Sequence, residues 1–411
     1  MAFTDLWAEL EPVGKDAGTG GYRRYSWTAA DLACREWFAA TASDLGLRCE
    51  CDRNGNLWAW WAPPGAAGPA IATGSHLDSV PDGGAFDGPL GIVSAFAAID
   101  LLREQGFVPA RPVAVAAFTE EEGARFGVAC LGSRLAAGVI TPDAARQLRD
   151  ADGIGLADAM AAAGQDPAQL GPDDGRLAGL AAYVELHIEQ GSALDGLGAP
   201  VGVGDGIWPH GRWRLELTGR ADHAGTTRIA DRRDPMLPYA AAVLAARQSA
   251  ADHGGLATFG KVIAEPGGTN AICSAVRAWL DARAPDEDTL AAVTSEVAAA
   301  VQAAAAEQGV RCDVRRESFS PAVTFDAGLR DRLAAVLDSA GAPVRGRGPV
   351  PVLPTGAGHD AGVLAARLPT AMLFVRNPSG VSHSPAEHAE LADCAAGVTA
   401  LAAVLRDLAG S

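Results

Sequence analysis

Seven side chains sit where apolar runs of this sequence stop or in glycine-rich loops: His76, Asp78, Asp87, Glu121, Glu122, His187 and His383. Histidine is scarce, eight in all, so its placement is informative. A lone histidine after a strand is more often a structural hydrogen-bonder, and a run of glutamates is usually a solvated face. Together, at matched strand ends, they read differently, because in an open parallel sheet such positions converge on the crevice at the strands' carboxyl ends. Three imidazoles and several carboxylates gathered there would repel and desolvate one another unless cations were bound among them. Mixed His/carboxylate ligation suits divalent zinc, manganese, cobalt or nickel. Two such ions could share one bridging carboxylate and activate a water between them.

The elements that must position these groups are legible. Residues 27–47 have the spacing of an amphipathic helix, and strands around 47–52 and 56–62 flank the turn pair Asn54-Gly55. The apolar runs 69–73 and 112–118 end in His76-Leu77-Asp78 and in Glu120-Glu121-Glu122, and a helix is predicted between them from about 89 to 104. That βαβ pattern implies a buried parallel sheet. Residues 140–180 predict short surface helices, and 182–188 another strand, ending in His187-Ile188-Glu189-Gln190. From about 204 the pattern changes: 212–219 alternates, helices are expected over 235–251 and 287–308, and strands over 257–263, 275–284 and 311–317. This β-α-β-β-α-β run, ferredoxin-like in order, reads as a separate α+β insertion. A helix over 327–340, a strand over 370–375 and a last helix from about 389 restore the α/β character. The fold class expected is therefore α/β, a mixed and largely parallel sheet over 1–203 and 318–411, with an inserted domain over 204–317.

The chain has 411 residues, long enough for two or three domains. Its 33 basic and 50 acidic residues give a formal charge of −17, a poor match for nucleic acid or anionic lipid. No run approaches a membrane span of ~18 apolar residues, and the first residues lack the layout of a secretory signal. Seven scattered cysteines form no disulfide framework and no Cys-x-x-Cys zinc site; Cys49 and Cys51 are expected half-buried on a strand. A reducing cytoplasm fits this pattern.

The segments GSHLDSVPDGGAFDGPLG (74–91), FTEEEGARFGVACLGSR (118–134), ELHIEQG (185–191), GRADHAGTTRIADRRDP (219–235), GGTN (267–270), DARAP (281–285), TGAGHDAG (355–362) and PSGVSHSPAEH (378–388) resemble the M20 peptidase superfamily of metal-dependent amidohydrolases. Within it they resemble the branch of N-carbamoyl-L-amino acid hydrolases, β-ureidopropionases and allantoate amidohydrolases, of which HIEQG and DHAGTT are typical. The resemblance implies two divalent ions, one on His76 and His187, the other on Glu122 and His383, with Asp87 bridging. It implies that Asp78 orients His76, that Glu121 is the general base, and that His223 stabilises the oxyanion in the partner subunit of a homodimer. Asn270 and Arg283 would hold the substrate carboxylate, with Gln190, Gly358 and His359 as further substrate contacts. Arg283 could instead form an ordinary ion pair, and His359 could serve only the backbone of its turn. Asp360 is expected to support or cap, and His210, His253 and His388 to be structural. The sequence departs from the branch at Arg228-Ile229, Ala271-Ile272-Cys273 and Thr355, near the implied substrate pocket.

The expected activity is hydrolysis of the carbamoyl C–N bond of an N-carbamoyl-L-amino acid, with the insertion as hinged lid and dimer surface. Allantoate or 3-ureidopropionate is the alternative substrate. An aminoacylase or dipeptidase fits less well, because HIEQG and DHAGTT point away from peptidases, and a binding protein without turnover fits less well, because Glu121 and all five implied ligands are present.

Overall fold

The computed structural model describes residues 2–341, 344, 346 and 348–410. By its own contacts the chain divides into two compact units, Met1–Gly206 with Thr324–Ser411, and Ile207–Val323. The inserted unit thus runs a few residues past the expected 317, because the strand that closes its sheet continues to Ser320, which pairs with His210.

The first unit is built on a nine-stranded sheet. Its strands are β1 (Arg48–Cys51), β2 (Leu57–Trp61), β3 (Ala70–His76), β4 (Val113–Phe118), β5 (Leu180–Ile188), β6 (Val201–Ile207), β13 (Val323–Thr324), β14 (Val352–Thr355) and β15 (Thr370–Val375). The order is β1-β2-β4-β3-β5-β15-β6-β13, with β14 beside β6. The central strands β4, β3, β5 and β15 are mutually parallel, and β3, β4 and β15 are buried at every residue, as strands covered on both faces must be.

One face carries the main core. There α1 (Phe3–Leu10), α2 (Ala29–Asp44), α3 (Pro89–Glu104), α11 (Ala327–Ser339) and α13 (Leu391–Ala409) meet alternate residues of the strands, such as Val184, Leu186, Leu373 and Val375. α3 lies against β3 and β5 and is buried along most of its length, so it shows no polar stripe. The other face is covered by α4 (Leu131–Ala136) and α12 (Asp360–Leu364), with α5 (Pro142–Arg146), α6 (Leu156–Ala162), α7 (Asp174–Ala178) and α8 (Ala193–Leu197) as the short helices between strands.

α2 starts at Ala29 rather than 27, because Trp27 takes φ +63 and Thr28 is extended. Cys49 is partly buried on β1 as expected, but Cys51, the strand's last residue, is exposed. α1 is not among the expected elements, although Phe3, Leu6, Trp7 and Leu10 stand at helical spacing; β6 is not revealed by periodicity, because Gly202, Gly204 and Gly206 interrupt its apolar pattern.

The inserted unit is a four-stranded antiparallel sheet, β12 (Arg311–Ser320), β7 (His210–Thr218), β11 (Ala275–Arg283) and β9 (Leu256–Glu265) in that order, with α9 (Met236–His253) and α10 (Glu287–Glu307) packed on it. β8 (Asp222–His223) and β10 (Ala271–Ile272) form a separate two-stranded ladder. α10 has the length and apolar composition of a membrane span, yet Leu290, Val293, Val297, Val301 and Ala305 are buried along one side, the pattern of a helix packed on a sheet. Its first turn is closed by Asp286, whose side chain accepts from the Thr289 N–H at 2.7 Å.

Candidate active site

Because β4, β3, β5 and β15 run in parallel, the loops after all four leave by one edge of the sheet. His76 is the last residue of β3 and His187 the next-to-last of β5. Glu121 and Glu122 follow β4, and His383 lies in the loop after β15. Asp87 precedes α3 in the loop after β3, where Gly88 at φ +73 lies so close to the His76 ring that a Cβ would stand 2.4 Å from it. Only glycine meets both demands.

Asp87 stands at the centre. Its Oδ1 is 3.1 Å from His187 Nε2 and 3.6 Å from His76 Nε2, while its Oδ2 is 3.3 Å from His383 Nε2. Glu122 Oε2 is 3.7 Å from the same His383 nitrogen. Two sets of donor atoms that could hold a cation therefore form, His76–Asp87–His187 and Asp87–Glu122–His383, each within 4.8 Å and sharing Asp87.

The tautomers suit such use. Nδ1 of His187 faces the Ile188 carbonyl at 2.9 Å and Nδ1 of His76 the Asp78 carbonyl at 3.1 Å, so each donates there and turns its Nε2 lone pair inward. The Asp78 carboxylate is farther from His76, at 3.6 Å, and accepts the backbone N–H of Glu121 and Glu122 at 3.2 and 3.1 Å. Asp78 thus holds the His76 ring mainly by its carbonyl, while its carboxylate fixes the Glu121–Glu122 turn.

The electrostatics describe a site crowded with acids. Burial would lower His76, but Glu121, Asp78 and Asp87 outweigh it and hold the imidazole well above its ordinary value. Hydrogen bonding to Asp87 raises His383 to about 9, and burial pushes Glu122 up to about 7, aided by the charge of Asp87. Burial also carries Glu121 well above the carboxylate range, only partly offset by His76. Protons are thus retained on acids and bases alike, which is where bound cations would substitute. Glu122 Oε1 is buried with no hydrogen-bond partner, a free ligand atom. The residues present fit a pair of divalent ions.

Glu121 Oε2 faces His76 Nε2 at 3.7 Å, and its Oε1 meets the Cys130 thiol at 3.1 Å. Gln190 is drawn in: its amide donates to Asp87 Oδ2 at 2.9 Å and to Ser382 Oγ at 3.2 Å, a place beside the implied ligands. His359 does more than shape its turn. It is buried with its ring centroid 4.5 Å from that of His187, and Glu185, His187 and His359 form a third donor set. Burial and neighbouring His187 hold His359 well below its ordinary value, so it is neutral. Gly358 beside it is exposed, and Asp360 starts α12, bonded to Ser133 Oγ.

His223, Asn270 and Arg283 belong to the inserted unit. His223 and Asn270 come together: His223 lies opposite Ala271 across the small ladder, and the Asn270 carbonyl accepts from the Ala224 N–H at 3.0 Å. Both are exposed. Arg283 is at the other end of β11, its Nε donating to Asp281 Oδ1 at 2.9 Å.

Two buried acids, Glu185 and Glu387, join the site without being among the residues expected there. Glu185 is fully buried, bonded to Ser75 Oγ and the Ala361 N–H, both at 2.9 Å. Its signal was available, an acid two residues before His187 on the same strand face. Glu387 had only its place in the segment 378–388 to mark it, since its backbone partners lie 300 residues away. Four non-glycine residues around this centre, Glu120, Cys130, Gln190 and His383, take φ of +53 to +57. Such geometry costs about 1–3 kcal/mol each and persists only where its surroundings enforce it.

Residues 72–407 match the profile of peptidase family M20/M25/M40. The chain belongs to that family. Among the relatives of this M20 protein, the N-carbamoyl-L-amino acid amidohydrolase of Geobacillus stearothermophilus is 38% identical over 395 residues, 96% of this chain and 94% of that one. The allantoate amidohydrolase of Escherichia coli (strain K12) is 33% identical over 404 residues, 97% and 96% of the two chains. In structure, an amidase of the hydantoinase/carbamoylase family from Burkholderia multivorans superposes with a TM-score of 0.88 at 30% identity, covering 100% of this chain and 97% of that one. This M20 protein is accordingly an amidohydrolase of the carbamoylase/allantoate group, a hydrolase of amide C–N bonds, with the mixed α/β fold of that group.

Proposed function

We propose that this M20 amidohydrolase cleaves the carbamoyl C–N bond of N-carbamoyl-L-amino acids with two divalent ions, releasing the amino acid, ammonia and carbon dioxide. The observation that supports it most is the division of Asp87, one oxygen toward His76 and His187 and the other toward His383, with Glu122 beside that histidine. His76 and His187 would hold one ion, Glu122 and His383 the other, and Asp87 both. Bound there, zinc, manganese, cobalt or nickel ions would supply Lewis acidity and a water of lowered pKa.

The chain's own groups do the rest. Glu121, one oxygen against Cys130 and the other facing the centre, takes the water's proton and passes it to the leaving nitrogen. His223 donates to the oxyanion, Asn270 and Arg283 bind the substrate carboxylate, and Gln190, Gly358 and His359 line the remainder. Arg283 ends the nine-residue strand β11, whereas His223 lies on the small ladder opposite Ala271, four residues before that strand begins. The reading includes a homodimer in which each site takes His223, with neighbouring Asn270, from the partner. An exposed apolar stripe on α9 (Met236, Leu237, Val243 and Leu244) beside the edge strand β9 supplies a surface for that pairing. Seven free thiols suit a reducing, cytoplasmic setting.

The 33%-identical relative makes allantoate the second reading. Ammonia release from chelated, then manganese- or zinc-reconstituted protein tests both, with N-carbamoyl-L-amino acids, 3-ureidopropionate and allantoate, and dipeptides followed by amine release. Turnover of a carbamoyl amino acid above the others supports the proposal. Preference for allantoate replaces the substrate, and silence from protein holding two ions refutes the substrate class.

A further inference from the structure

Glu387 is a buried carboxylate that no Lys or Arg pairs with among the described residues. It lies four residues past His383 and reaches into the loop that carries Asp87. Its Oε1 accepts the backbone N–H of Phe86 and of Asp87, both at 2.9 Å, and its Oε2 meets Ser382 Oγ at 2.9 Å. Gly84 leaves it room: a Cβ there would stand 2.3 Å from Oε1. Ser382 Oγ is also 3.3 Å from Asp87 Oδ2, the oxygen that faces His383.

A hydroxyl has one proton. Ser382 therefore donates either to Glu387 or to Asp87, and the shorter contact is to Glu387. Gln190 already occupies one lone pair of Asp87 Oδ2 at 2.9 Å. A second donor on that oxygen would compete with a cation for the lone pair that remains. We infer that Glu387 is a positioning residue that keeps Asp87 Oδ2 open for the second ion by accepting the only proton of Ser382. The inference rests on the two-ion reading given above.

Glu387→Gln separates this role from a structural one. The side-chain amide offers one acceptor oxygen, which satisfies either the two backbone N–H groups or the hydroxyl. Two bonds outnumber one, so the loop stays held and Ser382 is released toward Asp87. Manganese(II) is titrated into chelator-treated full-length protein by calorimetry, with bound metal counted afterwards and thermal midpoints recorded. The parent is expected to bind two ions. In Glu387→Gln the first should bind within about threefold of the parent and the second about tenfold more weakly, the range for changes in the groups behind metal ligands. Ser382→Ala, with no proton to misdirect, should keep both affinities, and Glu387→Gln/Ser382→Ala should recover the second site. Parental affinities in Glu387→Gln would overturn the inference, as would loss of the second ion in Ser382→Ala or no recovery in the double variant. Should Glu387→Gln fail to fold, Glu387→Ala and Glu387→Ala/Ser382→Ala take its place, with the same weakening of the second site and the same recovery expected. A parent that binds fewer than two ions would refute the two-ion reading itself, and so is told apart from failure of this inference alone.

Discussion

The two units of this chain treat their polar residues in opposite ways. In the first unit, His76, Asp78, Asp87, Glu121, Glu185, His187 and His359 are buried, drawn from loops and strands far apart in sequence. In the inserted unit the residues proposed to touch substrate are exposed or half-exposed, His223 and Asn270 at the small ladder and Arg283 at the end of β11. Charge divides similarly: the inserted unit carries fourteen acidic and thirteen basic residues, the rest of the chain 36 and 20. The donor sets proposed to hold cations are preorganised within one unit, where desolvation strengthens each contact. Under the proposed dimer, groups that serve a neighbouring copy can wait at the surface until assembly completes their surroundings.

The largest expected effect breaks the first half of that contrast. Asp87→Ala removes the carboxylate common to both donor sets and should abolish turnover together with uptake of two ions, followed by metal counting and ammonia release. Glu121→Gln should keep both ions and lower kcat by about 10²–10⁴, the contribution of a general base. If Glu121→Gln retained parental kcat, the base would lie elsewhere.

The second half is tested by complementation. His223→Ala and Arg283→Ala should each lower activity by roughly 10²-fold or more. Dissociating and remixing the two inactive proteins should restore a substantial fraction, since one of two sites in a mixed dimer is intact. No recovery would mean that both residues serve their own copy, against the proposed exchange of His223.

Metal removal gives a smaller, signed effect. Burial pushes Glu120, Glu122 and Glu387 to about 7 from an ordinary 4.5, and hydrogen bonding to Asp87 lifts His383 to about 9. Between about pH 5 and 8 the folded chain therefore binds more protons than the unfolded one, and stability falls as pH rises. Asp87, held well below its ordinary value against the pull of burial, contributes stability that is lost only in acid. Chelated protein should lose Tm over that range and metal-loaded protein much less. A flat Tm for the chelated form would contradict the acid crowding. Smallest of all, Asp286→Ala should cost the inserted unit about 1 kcal/mol in urea melts through loss of its helix cap, without altering metal content.

What could be read from the sequence follows from the range of each interaction. The βαβ run, the insertion and the strand-end positions of His76, Glu121, Glu122 and His187 are carried by local periodicity, and all appear in the fold. Helix and strand ends shifted where backbone geometry decided, as at Trp27 and Ser320. Glu185 was readable in principle from its spacing to His187. The bonds from Glu387 to the Phe86 and Asp87 N–H groups were not, because nothing in local spacing says which backbone groups a distant loop will present.

Glu120, Cys130, Gln190 and His383 share one left-handed backbone geometry, and this bears on any attempt to harden the protein against heat. Glycine would adopt that geometry without strain, so a screen that scores thermal survival alone would favour glycine wherever relief of strain outweighs what the side chain held in place. At Gln190 and His383 the side chain so removed is one that faces Asp87. Selection for endurance would then quietly erase the chemistry, and directed evolution of this scaffold needs turnover in every round.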